Sequence, residues 1–468
     1  MWYLPTVINA IRLFFLLGVG FEILWGLGWL AVGPMLHNSL FQKNREIPLL
    51  QEIGLILVCG LILNFALVLC FQTLNISLVI GLILSLFGTG CYLFSTFRNH
   101  DWRKPALGSY LPFFGFAFVC LLFLGPILAD PLNDWDARSM WFFHAKMIYA
   151  AGSIGISAGW KHPSASFSHV DYPNLIPALG AQAASVMGFW NEYLPKVSLF
   201  FMLVPPIALL FTFARRTFSY AIFLLLVPFG FSIWLWNGYM DGFLALYFSI
   251  AVLLLGRYLK SSQSIDLISS LACLFILLSV KNEGTLALIA GLGAIFLIGF
   301  IKRKSIRIAK IQPKFWIYLA AAVIALVPFI LWTIDKSQWN LKNDLSIGSP
   351  ESFSRIIQRI NDGSYKAIFK AIFKQNEGPL LLLGTIFFAS AARNIKFPRE
   401  SLPALAAGSI YVLGMFIIYL LTPLEVGWHL NFSIDRTMLA VSGCIYVGSF
   451  YILQTVENHV RTELDQSQ

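Results

Sequence analysis

One segment of this sequence combines the residue types and the setting that acid–base chemistry needs. DPLNDWDARSMWFFHAKMIYAAG, residues 130–152, places three aspartates and a histidine directly after a long apolar run. The pattern after Trp135 predicts a helix, and Asn133 or Asp134 can cap it by accepting from the free amides of its first turn. Asp136 would lie inside that turn, where the helix dipole keeps it ionised. An ionised carboxylate at a membrane surface can take a proton from an attacking hydroxyl, so Asp136 is the candidate general base.

Other polar segments at the ends of apolar runs add candidates for substrate binding. They contain His169, Asp171, Tyr172, Asp241, Lys281, Glu283, His429 and Arg436. An acid such as Asp241 is costly between two membrane spans unless it lines a polar cavity, pairs with a cation or caps a helix. Lys281 and Glu283 either bind a ligand or only pair with each other. Arg436 opens the predicted last span, where the helix dipole disfavours a cation, so it suits a fixed anion such as a phosphate.

Two more segments have both a structural and a functional interpretation. In HVDYPNLIP, 169–177, the residues before Pro173 either begin a helix or bind substrate. In the segment 335–377, lysines recur at every fourth position opposite apolar side chains, which predicts a basic amphipathic helix. These lysines either form a solvated face or attract a phosphate, and they are Lys366, Lys370 and Lys374.

All of these segments interrupt a chain whose composition is that of a polytopic helical membrane protein. Of its 468 residues 58% are hydrophobic and 12% are charged, whereas a soluble protein carries roughly twice that charge. Apolar runs of roughly 20 residues, the length of a spanning helix, recur throughout the chain. The net charge of +10 comes mainly from Lys and Arg in short loops. Contacts with anionic membrane lipids explain this charge, and no nucleic-acid partner is expected.

The apolar runs predict an all-α fold with about 13 transmembrane helices. They lie at 7–33, 48–71, 74–96, 108–129, 196–214, 218–236, 240–258, 265–281, 284–300, 314–334, 378–393, 403–422 and 434–455. The basic loops all fall on the cytoplasmic side if the N-terminus is outside. This arrangement requires 174–190 to form an interfacial or re-entrant helix. The polar segments then share the external face of a plasma (inner) membrane.

Within this topology, WDARSMWFFHAKM resembles a motif of the GT-C superfamily, integral-membrane glycosyltransferases that use polyprenyl-phosphate sugar donors. It is most similar to the branch of the protein O-mannosyltransferases and the lipid A aminoarabinose transferases. In that branch a helix ends outside in an aromatic-Asp-Glu motif, and a following interfacial helix carries Ala and Met at fixed spacing. Trp135, Asp136, Ala145 and Met147 fall in that register.

Two further segments carry the resemblance, and two positions depart from it. YPNL, 172–175, resembles the Lys-Pro-Pro-Leu element of the family, and GFWNEYLPK, 188–196, resembles its Gly…Arg-Leu-Pro segment. Ala137 stands where the family has its glutamate, and Tyr172 stands where it has a phosphate-binding lysine. Other cations must therefore hold the phosphate, and the candidates are Arg436 first, then Lys281 or the lysines at 366–374.

The resemblance implies an inverting glycosyltransferase whose donor is a polyprenyl-phosphate-linked sugar. The acceptor, a hydroxyl on a glycan, lipid or protein, would lose its proton to Asp136, with Asp134 beside it as a second catalytic candidate. Because the outer segments hold no tight carboxylate cluster, we expect no catalytic metal and no cofactor. A transporter or lipid flippase is the alternative function, and a scaffold subunit is a third.

The resemblance also implies a division of the chain. It runs as accessory helices at 1–107, a GT-C-like core at 108–334 with its first external loop at 130–195, an external loop at 335–377 and C-terminal helices at 378–468.

Overall fold

Helices account for nearly all of the described chain. The computed structural model describes residues 3–36, 48–98, 110–214, 217–302, 313–341, 343 and 351–467, and no strand occurs within these ranges. The α-helices are α1 (Tyr3–Leu36), α2 (Leu49–Phe71), α3 (Leu74–Arg98), α4 (Tyr110–Ala129), α5 (Phe142–Ala151), α6 (Leu175–Met187), α7 (Val197–Phe211), α8 (Phe218–Leu224), α9 (Ser232–Trp236), α10 (Asp241–Ser261), α11 (Ser264–Ile276), α12 (Gly284–Lys302), α13 (Pro313–Trp339), α14 (Glu351–Asn361), α15 (Ser364–Gln375), α16 (Glu377–Ala392), α17 (Leu402–Leu421), α18 (Val426–Thr437) and α19 (Leu439–Ser467).

The protein is a multi-pass helical membrane protein. Ten stretches within the described ranges are long and apolar enough to cross a bilayer. They correspond to α1, α2, α3, α4, α7, α10, α12, α13, α17 and the continuous α18–α19 stretch. Three other predicted spans, at 218–236, 265–281 and 378–393, contain apolar helices that are shorter: Phe218–Phe229, Ser264–Ser279 and Glu377–Ala392.

Burial divides these helices into a centre and a periphery. Helices α7 and α10 are almost wholly buried, which explains why they are apolar on every side. Peripheral α3 and α4 expose large apolar side chains, as a lipid-facing surface requires. Helices α1 and α2 approach closely through small residues. A β-carbon on Gly28 would lie 1.8 Å from the Ile56 carbonyl oxygen, and one on Gly60 would lie 1.9 Å from the Leu24 carbonyl oxygen.

Polar contacts gather at the two ends of the bundle. At one end the turn between α2 and α3 pairs with the segment after α5, through a single β-bridge between Thr73 and Ser153. At the other end Asp266 of α11 accepts from Arg257 at 2.9 Å and from Gln51 at 2.9 Å. The segments predicted to be external share the first end, and the described turns predicted to be cytoplasmic share the second. Several basic loop residues that set this topology lie outside the described residues: Lys43, Arg45, Arg103, Lys104, Arg215, Arg216, Arg303, Lys304, Arg307 and Lys310.

The segment 174–190 forms α6, which is only about 20 Å long at 1.5 Å per residue, too short for a span of about 30 Å. Nearly all of α6 is buried inside the protein. Its Gln182 forms a reciprocal amide pair with Asn64 of α2, with N···O distances of 2.7 and 3.2 Å. This pair satisfies two polar side chains in an apolar interior and fixes the position of α6 along α2.

We expect the variant Asn64→Leu to be destabilised by about 1–3 kcal/mol, because it leaves the buried Gln182 amide without a partner. The double variant Asn64→Leu/Gln182→Met removes both polar groups at similar volume and should recover most of the loss. Thermal unfolding of the purified variants in detergent measures both effects. A double variant whose loss equals the sum of the two single losses would mean that the amides do not interact.

Candidate functional site

The first catalytic candidates lie in a helix that begins with an irregular turn. Its first residues are Trp135 and Asp136, a single π-helical turn follows at Ala137–Trp141, and α5 continues from there. Such π turns occur frequently at functional sites. The sequence predicted Asn133 or Asp134 as the helix cap. The Asp134 carboxylate instead accepts from Asn237 Nδ2 at 3.0 Å, and no side-chain cap bond forms at the π-helical turn.

Ala137 is buried beneath the turn that precedes α10. This turn contains Gly238 with a φ of +91°, and a β-carbon there would lie 2.7 Å from that of Ala137. Only glycine adopts this backbone conformation without strain. Alanine fits this space, whereas a glutamate at position 137 would collide with the turn.

Arg436 reaches the same helix from the other end of the chain. Its guanidinium forms an ion pair with the Asp136 carboxylate, 300 positions away in sequence, and lies over the Tyr239 ring at 5.0 Å. Both charged side chains are mostly buried, and Arg436 Nε has no acceptor among the described residues. The pair therefore shields the candidate base while leaving one guanidinium N–H available.

The predicted position of Arg436 at the start of a helix is wrong. Helix α18 begins ten residues earlier, where Glu425 caps it by accepting from the Gly427 amide at 2.8 Å. Arg436 lies in the last turn of α18, where the helix dipole favours a cation. The apolar pattern did not reveal this because α18 and α19 form one continuous hydrophobic stretch.

Lys281 forms a second buried ionic group with two carboxylates. Its Nζ lies 2.7 Å from Asp241 Oδ1 and 3.1 Å from Glu283 Oε1. The expected pairing of Lys281 with Glu283 is confirmed, and Asp241 is a further partner that the sequence did not predict. Burial lowers the pKa of Lys281, but the two carboxylates outweigh it and hold this pKa above its ordinary value, so the ammonium stays charged. One oxygen of each carboxylate, Asp241 Oδ2 and Glu283 Oε2, is buried without a donor among the described residues.

Tyr172 lies close enough to both ionic groups to interact with them electrostatically. Its ring is stacked between Trp141, at a centroid distance of 5.6 Å, and His169, at 5.4 Å. Burial, and then the nearby Glu283 and Asp171 carboxylates, raise the pKa of Tyr172 well above its ordinary value, against the opposing effect of Arg436. The Tyr172 hydroxyl is therefore a neutral donor beside the charged side chains.

Asp171 holds the segment that carries Tyr172 in place. Its carboxylate accepts from Asn282 at 2.9 Å and from Asn343 at 3.1 Å, and its backbone oxygen accepts from Trp332 Nε1 at 3.3 Å. Asn282 lies between Lys281 and Glu283 in the sequence, so its bond to Asp171 joins the second ionic group to the segment before α6. These contacts are those of a positioning residue.

His429 lies on α18 about two helical turns before Arg436, and its ring packs edge-on against Tyr419 with the ring centroids 5.0 Å apart. Its Nδ1 is buried without a partner among the described residues. The lysines of α15, by contrast, are exposed on that helix, whose buried side chains are Ile368 and Ile372. Five of the ten sequence candidates thus form the two ionic groups. The other five lie around these groups and bond to or stack on other residues: Asp134, Asp171, Tyr172, His429 and His169.

Sequence reasoning missed one polar group in this region. His144 is fully buried and contacts Asn174 Oδ1 through Nδ1 at 2.8 Å and Ser168 Oγ through Nε2 at 3.1 Å. A Ser–His–Asn set resembles a nucleophilic site, but the Ser168 hydroxyl donates its proton to the Ala165 carbonyl at 2.6 Å and not to His144. The three residues fasten α5 to the segment that precedes α6. The helical spacing of His144 with Met140 and Ile148 was the available signal, and it places His144 on the buried face of α5 rather than against lipid.

The arrangement has a defined charge balance. Three carboxylates, of Asp136, Asp241 and Glu283, face two cations, Arg436 and Lys281. The unpartnered carboxylate oxygens can accept hydrogen bonds from a polyhydroxylated ligand, and the free N–H of Arg436 can donate to an anion. No group of three or more His, Cys, Asp and Glu side chains within the described ranges could hold a metal ion.

Comparisons of the chain with protein-family models, with curated proteins and with solved structures found no match.

We expect His144 to make stability depend on pH. Burial lowers the pKa of His144 to about 4, whereas in the unfolded chain it titrates near about 6.5. The unfolded chain binds more protons between these values, so this contribution is complete above about pH 6.5 and is lost as pH falls towards 4. The melting temperature in detergent should fall across this range, and less steeply in His144→Gln. The exposed His162→Gln serves as the matched control, and equal slopes in all three proteins would contradict the assignment.

Proposed function

We propose that this protein is an inverting membrane glycosyltransferase that moves a sugar from a polyprenyl-phosphate donor to an acceptor hydroxyl. The observation that carries the proposal is the contact between Asp136 and Arg436. The sequence predicts Asp136 as the general base and Arg436 as the phosphate ligand. The two residues are 300 positions apart in the chain, and the fold brings them together. The base and the phosphate-binding cation of such an enzyme must lie within one small site, since the attacking hydroxyl and the leaving phosphate occupy opposite faces of the same anomeric carbon.

The ion pair suggests how donor binding prepares the base. The donor phosphate takes the place of the Asp136 carboxylate on Arg436, whose planar guanidinium suits two phosphate oxygens. Asp136, released from Arg436, then turns to the face of the anomeric carbon opposite the phosphate and accepts the proton of the acceptor hydroxyl there. The acceptor oxygen bonds to that carbon, and the carbon–oxygen bond to the lipid phosphate breaks with both electrons leaving on the phosphate. Arg436 stabilises the departing anion, so no general acid is required.

The neighbouring residues supply the rest of a sugar site. Tyr172, as a neutral donor, can bind a phosphate oxygen in place of the lysine that the family carries there. Asp241 and Glu283 offer unpartnered oxygens to sugar hydroxyls, and Lys281 orients both carboxylates. His429 lies on the same helix as Arg436 and can contact the ligand through Nδ1.

The proposed function implies a specific topology of the chain. The chain crosses a plasma (inner) membrane about 13 times, counting the shorter apolar helices, and the site lies on the external face. The core is GT-C-like and runs from 108 to 334. The partners are the lipid-linked donor, a glycan, lipid or protein acceptor and the surrounding lipids.

A transporter or flippase is the second candidate function, because the Lys281 group is a set of buried charges at the ends of membrane spans, and buried charges in membrane proteins often mark ion and substrate pathways. A transporter would move an intact lipid-linked sugar and break no bond. Cleavage of the donor therefore distinguishes a transferase from a transporter. A scaffold subunit would neither cleave nor move the donor.

Asp136→Asn should lower turnover by about 100-fold or more, because the amide cannot accept the proton. Asp134→Asn should have a milder effect, since Asp134 bonds to Asn237 and lies two residues before the proposed base. Transfer of labelled sugar from the donor by purified protein in nanodiscs is the measurement. Asp435→Asn, an exposed carboxylate beside Arg436, is the matched control and should retain activity. Loss of turnover in Asp134→Asn with full activity in Asp136→Asn would reverse the two assignments.

Arg436→Ala should weaken binding of the lipid-phosphate donor, and Arg436→Lys should restore it only in part, because an ammonium lacks the planar fork. Donor affinity is measured on folded protein in nanodiscs, with Lys374→Ala as the exposed cationic control. Unchanged donor affinity in Arg436→Ala together with loss in Lys374→Ala would move the phosphate site to α15.

A further inference from the structure

Helix α14 has an unusual distribution of side chains. At 100° per residue its side chains fall into three sectors. Arg355 and Arg359 lie on the sector that faces the protein. Large apolar side chains occupy the adjoining sector and are exposed: Phe353 by 70%, Ile357 by 46% and Ile360 by 53%. The third sector is polar and consists of Glu351, Ser354, Gln358 and Asn361.

The inward arginines attach α14 to the end of a membrane span. Arg355 Nε donates to the Leu421 carbonyl at 2.7 Å. Arg359 Nη2 donates to the carbonyls of Thr422 at 2.7 Å and of Leu424 at 2.9 Å. Helix α17 ends at Leu421, so these bonds satisfy carbonyls that the last turn of a helix leaves without intrahelical donors. The depth of α14 is therefore set by the depth at which α17 leaves the bilayer.

The span to which α14 is attached also exposes apolar side chains, as a lipid-facing helix does. Leu413 and Ile417 of α17 are exposed by 59% and 42% along the span. Beyond the end of α17, Trp428 is exposed by 52% on the next helix, and tryptophan at this level is typical of the boundary between lipid and water. The sector of Phe353, Ile357 and Ile360 thus lies where acyl chains give way to headgroups.

We propose that α14 is an interfacial helix, bound at the acyl–headgroup boundary of the leaflet on the side of the candidate site. Its apolar sector contacts the lipid, its polar sector contacts water, and its arginines contact the protein. Helices with this division lie in the plane of the interface, and their binding scales with buried apolar area. Since Arg359 also holds the residue before the Glu425 cap of α18, the lipid contact of α14 sets the depth of the helix that carries Arg436.

Spin labels on single cysteines in α14 test this proposal in the full-length protein, with the six native cysteines replaced and the protein in phosphatidylcholine/phosphatidylglycerol nanodiscs. The labelled variants are Phe353→Cys and Ile357→Cys, with Ser354→Cys and Gln358→Cys as matched controls on the same helix. Collision rates with oxygen, which concentrates in lipid, and with a water-soluble nickel chelate are measured for each label.

We expect the labels at 353 and 357 to collide mainly with oxygen and those at 354 and 358 mainly with the nickel chelate. The ratio of the two collision rates should alternate between the two pairs. Equal access of the nickel chelate at all four positions would place α14 in water and overturn the proposal. Low collision rates with both reagents at 353 and 357 would also overturn it, because a protein partner would then cover the apolar sector. The collision rates do not depend on catalysis, so they test the position of α14 even if the protein does not transfer sugar.

Discussion

Charges in the interior of a membrane protein must find partners there, and this constraint governs the end of the bundle where the site lies. The Asp136–Arg436 pair and the Lys281 group with its two carboxylates neutralise most of the charge that the turns bring in. A lone ion in such a low-dielectric setting is strongly disfavoured, so each partner specifies where the other must be. Segments from the beginning, middle and end of the chain are held together by these few contacts.

The apolar scaffold accounts for the precision of these contacts. The buried α7 and α10 give the centre of the bundle, and Asp241 stands at the first residue of α10. The turn before it bends tightly at Gly238 and packs on Ala137, so the helix that begins with Asp136 is held against the start of α10. Asp171 and His144 secure the segment that carries Tyr172 from two sides. The charged side chains themselves are thus supported by uncharged neighbours.

The fold class and the position of the site could be predicted because both follow from hydrophobic pattern and loop charge. Apolar runs define spanning helices, and the topology places the polar turns at one end, where the structure brings them together. The partners of individual residues could not be predicted in this way. Nothing local links Asp136 to Arg436 or Lys281 to Asp241, since these pairs depend on how the helices pack. The start of the helix that contains Arg436 was predicted wrongly because its amphipathic sequence joins the last apolar run without a break. The contact of α14 with the membrane was not predicted, because the arginines of its inward face interrupt its apolar residues.

The central claim is that the two ionic groups form a site for sugar transfer from a lipid phosphate. The most direct measurement incubates the purified protein in nanodiscs with a panel of radiolabelled polyprenyl-phosphate sugars and an extract of envelope glycans and lipids, and follows the release of free polyprenyl phosphate. At least one donor should be cleaved, with its label transferred in inverted configuration to an acceptor hydroxyl. If every donor stays intact with folded protein while the same protein in liposomes carries the lipid-linked sugar from one leaflet to the other, the site serves transport and the claim is contradicted.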